Sequence, residues 1–268
     1  MESLAQAIET PYEPYEKIGV IDADGGYQQL NANILQIENE YYSTVRPKRP
    51  PRRGEKPTIA LRDHGVEYVE IRSLDVDPYS TCGISLNTLR FMEVFMWFCV
   101  LHESPAMDSS ERAKSARTLT DVAYRGRDPE LRLACTGDTL GVKGCGAEIL
   151  DQMDAIAEAL DGTESGYVAA LAEQKERIAH PDATPSARML ADMRDQKQSF
   201  FEFGMARSHA VHDALLAAPL TAESEAEFEQ MAQASIEEQH RLESADDVDF
   251  ETYLSDYLSQ SALTETTS

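Results

Sequence analysis

The sequence predicts an α+β fold, in which a small piece of antiparallel sheet precedes a mostly helical body. Two stretches in the first third of the chain, residues 35–46 and 66–75, alternate between apolar and polar side chains as β-strands do. From residue 85 onward, apolar residues recur instead at helical spacing, and proline or glycine separates the segments. Strands followed by a run of helices are typical of the α+β class.

The stretch 66–75 predicts a strand with two unlike faces. Val69 and Ile71 share an apolar face, and Glu67 stands at the entry to the strand. The opposite face carries Tyr68, Glu70 and Arg72. On this pattern alone, the neighbouring carboxylate and guanidinium fit either a functional site or a solvated ion pair, because exposed ion pairs are common and contribute little stability.

The stretch 35–46 also predicts a strand with one apolar and one polar face. One predicted face carries Leu35, Ile37, Tyr41 and Val45. The other face carries Glu38, Glu40, Tyr42 and Arg46. Paired in one sheet, the two strands would present a common face of acids, tyrosines and arginines. Carboxylates suit a hard cation such as Mg²⁺, and arginine grips carboxylate or phosphate, so this face suits a site that activates a carboxylate with a nucleotide.

A basic segment, residues 46–53, follows the first predicted strand. It fits a loop that meets phosphate groups, or a surface loop stiffened by proline that balances local acids. For Arg46 the two interpretations are equally supported. For Arg52 and Arg53 we favour the surface loop.

The segment from Ser85 to Leu101 is apolar almost all round and predicts a central core helix, packed on the apolar face of the strands, with Cys99 as a buried thiol. Further helices are predicted at 109–124, 146–160, 164–179, 185–197, 198–217, 222–242 and 249–260, with 125–145 as a loop. The organisation expected is a strand-bearing part over 1–84, a helical body over 85–261 and a polar tail over 262–268.

Composition excludes several classes of partner. Among 268 residues, 48 are acidic and 24 are lysine or arginine, which gives a net charge of −24. Such a charge disfavours nucleic acid and anionic membranes as partners. Neither a signal peptide nor an apolar run long enough to cross a bilayer is recognisable. The four cysteines have no metal-type spacing, so a reducing cytoplasm is the expected compartment.

Several motifs together resemble the proteobacterial glutamate–cysteine ligases (gamma-glutamylcysteine synthetases). The resemblance rests on residues 36–40, 46–49 and 66–75, then on Asp77-Pro78, Gly83-Ile84, Arg90-Phe91 and, more loosely, Ser186-Ala187-Arg188. It covers essentially the whole chain but only the later, C-terminal part of the family's protein. The sheet piece would then be part of a larger active-site sheet, completed by strands from the upstream part.

The resemblance implies a function and a set of site residues. ATP, with Mg²⁺, would phosphorylate the side-chain carboxylate of glutamate, and cysteine would attack the acyl phosphate to give gamma-glutamylcysteine, the first step of glutathione synthesis. Glu70 matches a metal ligand and Arg72 matches the catalytic arginine that grips glutamate or the phosphoryl group. Tyr42 matches a tyrosine of the cysteine pocket. Arg46, as a substrate contact, and Glu67, as a metal ligand, belong to matching motifs.

Two hypotheses remain open at this point. In the first, the chain is a ligase, or one half that works with the missing upstream half and with glutamate, cysteine and ATP as small-molecule substrates. In the second, it is a catalytically inactive helical fragment or binding module derived from the ligase. The upstream metal-binding carboxylates that the family uses are absent from these 268 residues.

Overall fold

The computed structural model describes residues 2–135, 138–162 and 165–260 of the chain. They form two compact units. The first unit takes the chain up to Asp75 and again from Leu220, and the second takes Val76–Pro219. The predicted tail over 262–268 lies outside the described residues.

The first unit holds a two-stranded antiparallel sheet among helices. Its strands are β1 (Val45–Lys48) and β2 (Tyr68–Ile71). Its helices are α1 (Glu2–Glu9), α2 (Glu13–Ile18), α3 (Pro57–His64), α11 (Ala222–Ser244) and α12 (Phe250–Ser259). The carboxamide of Gln260 donates to the carbonyl oxygen of Gly54 at 2.6 Å, and Lys56 Nζ donates to the carbonyl oxygen of Gln260 at 2.7 Å. The end of α12 is thereby tied to the segment before α3.

The second unit is helical with one short hairpin. Its helices are α4 (Leu86–Leu101), α5 (Ser109–Arg125), α6 (Val142–Asp151), α7 (Asp154–Asp161), α8 (Tyr167–Ala179), α9 (Pro185–Asp195) and α10 (Phe200–Leu216). Its strands are β3 (Arg132–Cys135) and β4 (Asp138–Gly141). The core consists of Val94, Leu150, Met153, Ala157, Tyr167 and Leu171. The predicted α+β class, a small antiparallel sheet with a mostly helical body, is confirmed.

The apolar helix α4 is buried on one side only. Val94 is fully buried, and Phe91, Phe95 and Phe98 pack partly buried around it against α7 and α8. The expectation of a helix buried on several sides is therefore wrong. Cys99, which we expected to be buried, is exposed. The reason is geometric: α7 and α8 cover one side of α4, whereas its apolar residues run around nearly the whole circumference.

The first predicted strand is wrong over most of its length. Residues 38–40 form a 3-10 helix, and only Val45 and Arg46 of the stretch belong to β1. Local hydrogen bonds replace the sheet ladder here, since the Gln36 side chain accepts from the Leu30 N–H at 2.8 Å and its own N–H donates to Glu40 at 2.7 Å. Glu38 is buried, not ligand-facing, and accepts from the Thr58 N–H at 2.7 Å.

Two further expectations, a buried apolar face of the sheet and a loop over 125–145, are wrong because the strands involved are short. The apolar face of the β1–β2 ladder is not buried, because Val45 and Val69 are both exposed. Four-residue strands in a pair offer too little surface to hold a helix in place. The predicted loop over 125–145 contains the β3–β4 pair, and Leu133 of β3 enters a small core together with Leu131, which precedes the strand. The alternation of these two leucines is too short to predict a strand in a segment that also contains several glycines.

No helix among the described ranges combines the length and the apolar character that crossing a lipid bilayer requires.

Replacing Leu171 with alanine tests the core of the second unit. Leu171 is 1% exposed, so its truncation leaves a cavity and should lower the free energy of unfolding by about 2–5 kcal/mol. Urea denaturation followed by circular dichroism measures the loss. Leu216→Ala is the matched control, because Leu216 is 70% exposed and its truncation should change stability by less than about 0.5 kcal/mol. Equal losses in the two variants would contradict this packing.

Candidate functional site

The register of the β1–β2 ladder gathers the predicted site residues on one face. Arg46 pairs with Glu70 across the ladder, and Lys48 pairs with Tyr68. Residues directly opposite each other in an antiparallel pair project to the same side. The Arg72 N–H donates to the Thr44 carbonyl oxygen at 2.8 Å, which extends the ladder past β2 and keeps Arg72 on the face of Glu70.

The Glu70 carboxylate is the centre of this charged face. Arg72 Nη2 lies 2.8 Å from Glu70 Oε1, and Lys48 Nζ lies 3.7 Å from Oε2. The hydrogen bond from Arg72 is the main cause that holds the pKa of Glu70 below its usual range, and the charges of Arg72, Lys48 and Arg46 add to it. Glu70 in turn raises the pKa of Arg72. The carboxylate is therefore ionised throughout the neutral range.

One oxygen of this carboxylate is left without a donor. Glu70 Oε2 is buried and accepts no hydrogen bond. A buried acceptor without a partner is costly, so native structures keep few of them without a ligand, ion or water. An anionic oxygen in this state is the kind of ligand that Mg²⁺ takes.

A complete metal site is not present in the described part of the chain. No three acidic, histidine or cysteine side chains there converge on one point. Magnesium prefers six oxygen ligands, several of them water or substrate phosphate. The donor chemistry at Glu70 thus fits one ligand position of a magnesium site, and the remaining protein ligands have to come from outside these residues.

Tyr42 joins the charged face through its ring. The guanidinium carbon of Arg72 lies 5.4 Å from the centroid of the Tyr42 ring, within the range of a cation–π contact. The Tyr42 side chain is exposed, so the rest of the ring is open to a ligand. Arg72 therefore contacts both the acid of the site and its aromatic residue.

The other predicted metal ligand, Glu67, lies just before β2. Its N–H donates to the Lys48 carbonyl oxygen at 2.9 Å, and its carboxylate Oε2 lies 3.4 Å from Arg49 Nη1. The contact with Arg49 is what a structural acid at a strand end would make. Glu67 as a metal ligand stays a prediction.

Sequence reasoning missed Lys48 as a site residue. Lys48 contacts Glu70 and stands two residues after Arg46 in β1, so both project to the same face. The alternation of β1 would have identified it had the strand been placed at 45–48. The basic segment 46–53 thus divides, with Arg46 and Lys48 at the candidate site and Arg53 paired to Asp246 at 2.8 Å.

A second polar cluster surrounds Tyr79 in the other unit. The Tyr79 hydroxyl donates to Asp192 Oδ2 at 2.6 Å, and the Arg188 guanidinium lies 3.6 Å from the ring centroid. Arg207 lies 5.1 Å from the same centroid. Burial, followed by the hydrogen bond to Asp192, raises the pKa of Tyr79 to about 12. Arg188 of the Ser186-Ala187-Arg188 motif therefore stacks on a tyrosine of the 77–84 loop.

Comparisons with known proteins show what the whole chain is similar to. The family described as glutamate-cysteine ligase matches residues 1–122. The glutamate–cysteine ligase of Alcanivorax borkumensis is 44% identical over 261 residues, which are 95% of this chain and 50% of that protein. The ligase of Pseudomonas paraeruginosa is 41% identical over 259 residues, which are 96% of this chain and 49% of that protein. Nearly the whole chain is thus similar in sequence to about half of each of these glutamate–cysteine ligases.

Solved structures show the same similarity to glutamate–cysteine ligases. The crystal structure of the Francisella tularensis glutamate–cysteine ligase in complex with AMP superposes with a TM-score of 0.85 at 32% identity. The match covers 96% of this chain and 51% of that one. A bifunctional glutathione synthetase from Pasteurella multocida shares the fold at 22% identity and a TM-score of 0.51. The chain thus spans about half the length of the ligases that it matches.

The depressed pKa of Glu70 gives a direct test of the site. Because its pKa is lower in the folded than in the unfolded chain, the pair with Arg72 stabilises the fold at neutral pH. That contribution is lost as the pH falls through the folded pKa. Arg72→Ala should raise the pKa of Glu70 towards its ordinary value, as measured by ¹³C NMR of labelled glutamate. Arg49→Ala is the control, since Arg49 contacts Glu67 instead, and an equal rise in that variant would contradict the assignment.

Proposed function

We propose that this chain forms the C-terminal part of a glutamate–cysteine ligase and supplies one side of its active site. The observation that carries the proposal is the convergence of Arg46, Glu70, Arg72 and Tyr42 on one face of the sheet, in a chain homologous to these enzymes. The proposed reaction is the ATP-dependent joining of the γ-carboxylate of L-glutamate to the amino group of L-cysteine. ATP as the nucleotide is supported by the AMP bound to the Francisella relative.

The chemistry needs a carboxylate to be activated before it can meet an amine. The γ-carboxylate oxygen attacks the terminal phosphorus of ATP, and ADP leaves with the electron pair of the broken P–O bond. The cysteine nitrogen then attacks the acyl carbon, phosphate leaves, and the nitrogen loses a proton. Both steps carry anionic oxygens that cations can hold and stabilise.

The residues of the charged face have matching roles in this proposal. Arg72 is held by Glu70 and Tyr42, and its remaining guanidinium N–H groups can orient the carboxylate or the phosphoryl group bidentately. Arg46 and Lys48 add positive charge for phosphate oxygens. Tyr42 offers an exposed aromatic wall to the cysteine substrate.

Magnesium belongs to the proposal through Glu70. Its Oε2, which accepts no hydrogen bond and lies 3.7 Å from Lys48 Nζ, would hold one coordination position, and the ion, when bound, would offset the charge of the nucleotide phosphates. Because no cluster of three acidic, histidine or cysteine side chains forms among the described residues, the other half of the ligase is part of the proposed site. The competing hypothesis, an inactive fragment, predicts that adding that half restores nothing.

Reconstitution decides between the two. ADP release would be measured with ATP, Mg²⁺ and L-glutamate, with and without L-cysteine, for the chain alone and mixed with the preceding half of the Alcanivorax borkumensis ligase. We expect cysteine-dependent turnover only in the mixture. The absence of turnover in the mixture, with each half folded, would reject a catalytic role for this chain.

Arginine geometry at position 72 should matter more than its charge. Arg72→Lys keeps the positive charge but loses the planar fork, so kcat of the reconstituted ligase should fall by about 100-fold. Arg49→Lys is the matched control, on the neighbouring strand end and away from Glu70, and should retain kcat within about twofold. Steady-state kinetics of the two variants measure this difference. Equal activities would remove Arg72 from the catalytic machinery.

A further inference from the structure

We propose that the exposed apolar side of α4 is the surface on which the preceding half of the ligase docks. This inference rests on the proposed function, because it names where the partner of the candidate site binds. The surface, here called the α4 stripe, consists of Leu86, Leu89, Trp97, Val100 and Leu101.

The α4 stripe has two apolar parts on one side of the helix, Leu86 and Leu89 near its start and Trp97, Val100 and Leu101 near its end. Its side chains are between 47% exposed, at Trp97, and 69% exposed, at Val100. At 100° per residue, the five positions fall within an arc of about 120° of the helix. The residues of α4 that pack in the core lie beside this arc, with Val94 next to Leu101 and Phe91, Phe95 and Phe98 farther round the helix. Exposed side chains this large, aligned on one helix, mark an interaction surface in a soluble protein.

The two charged residues within the same arc are engaged elsewhere. Glu93 Oε2 accepts a hydrogen bond from the Tyr167 hydroxyl at 2.7 Å. The Arg90 guanidinium lies over Gly166, where a glycine leaves room for it, and is attracted by Asp161. Both are drawn towards the start of α8, so the charges that separate the two apolar parts of the stripe are paired within this unit. This differs from the chain as a whole, which carries a net charge of −24.

The lengths of the relatives identify the occupant. The Francisella ligase contains this fold, with a TM-score of 0.85 over 96% of the chain, and the match accounts for 51% of its own length. The rest of such a protein has to lie against surfaces that are exposed here. Since apolar surface is the part whose exposure to water is unfavourable, the α4 stripe is the surface that the other half covers. The partner is expected to present a complementary apolar segment.

Trp97 provides a probe inside the proposed interface, because it is the only tryptophan of the chain. The chain would be produced with 5-fluorotryptophan and titrated with the unlabelled preceding half of the Alcanivorax borkumensis ligase. We expect the single ¹⁹F resonance to shift and its H₂O/D₂O solvent isotope effect to shrink as water leaves the indole. Analytical ultracentrifugation should show a complex with one copy of each half.

A charge in the stripe should weaken this complex. Leu89→Glu should reduce the affinity for the other half by about tenfold or more, because it places a carboxylate in a desolvated contact. Leu216→Glu on α10 is the matched control, with a similarly exposed leucine outside the stripe, and should bind as the unaltered chain does. Circular dichroism and thermal unfolding would be used to check that both variants are folded.

Several outcomes would overturn the proposal. They are an unchanged ¹⁹F signal in the titration, equal binding by Leu89→Glu and Leu216→Glu, and burial of Trp97 in a dimer of this chain alone, which would make a second copy the occupant. Docking that Leu89→Glu weakens, without cysteine-dependent ADP release, would keep the docking surface and reject the proposed function. ADP release with an unaffected Leu89→Glu complex would keep the function and reject the surface.

Discussion

The pairing register of β1 and β2 is the constraint on which the candidate site depends. With Arg46 opposite Glu70, the basic residues of one strand and the acid of the other project to the same face. A slip by one residue would send Arg46 and Lys48 to the face of Val69 and leave the Glu70 carboxylate without Lys48. The charges themselves oppose that slip, because the ion pairs form in one register only. The site and its local fold thus stabilise each other.

The two faces of this ladder differ in burial. The charged side chains are partly buried by one another, whereas Val45 and Val69 are exposed. A pair of four-residue strands is marginal in water, and an exposed apolar face adds to the cost. This exposure, the α4 stripe and the half-length match to the ligases together support the docking of further protein proposed above.

Local patterns in the sequence were sufficient for some features and insufficient for others. Glu70 and Arg72 were found because alternation within one short strand fixes their side. The strand proposed for residues 35–46 failed over most of its length because Gln36 and Glu40 satisfy backbone groups locally, and alternation does not reveal such hydrogen bonds.

Long-range contacts were the other source of error. The return of α11 and α12 to the first unit depends on residues some two hundred positions apart, such as Lys56 and Gln260. One-sided burial of α4 likewise depends on what is available to cover it. The periodicity of hydrophobic residues within a short segment predicts neither the position of α11 and α12 nor the one-sided burial of α4. The structure brings the ring of Tyr42 to Arg72, although most of the strand that first suggested the position of Tyr42 is not formed.

That return has a consequence for synthesis on the ribosome. The strands that carry Glu70 and Arg72 emerge early, but their unit also contains α12, whose ring of Phe250 meets Tyr27 and whose end anchors Lys56. The second unit is contiguous along the chain and can fold while translation proceeds, whereas the first must wait for its last helices. A premature stop that removes α12 would therefore damage the part of the molecule that was made first.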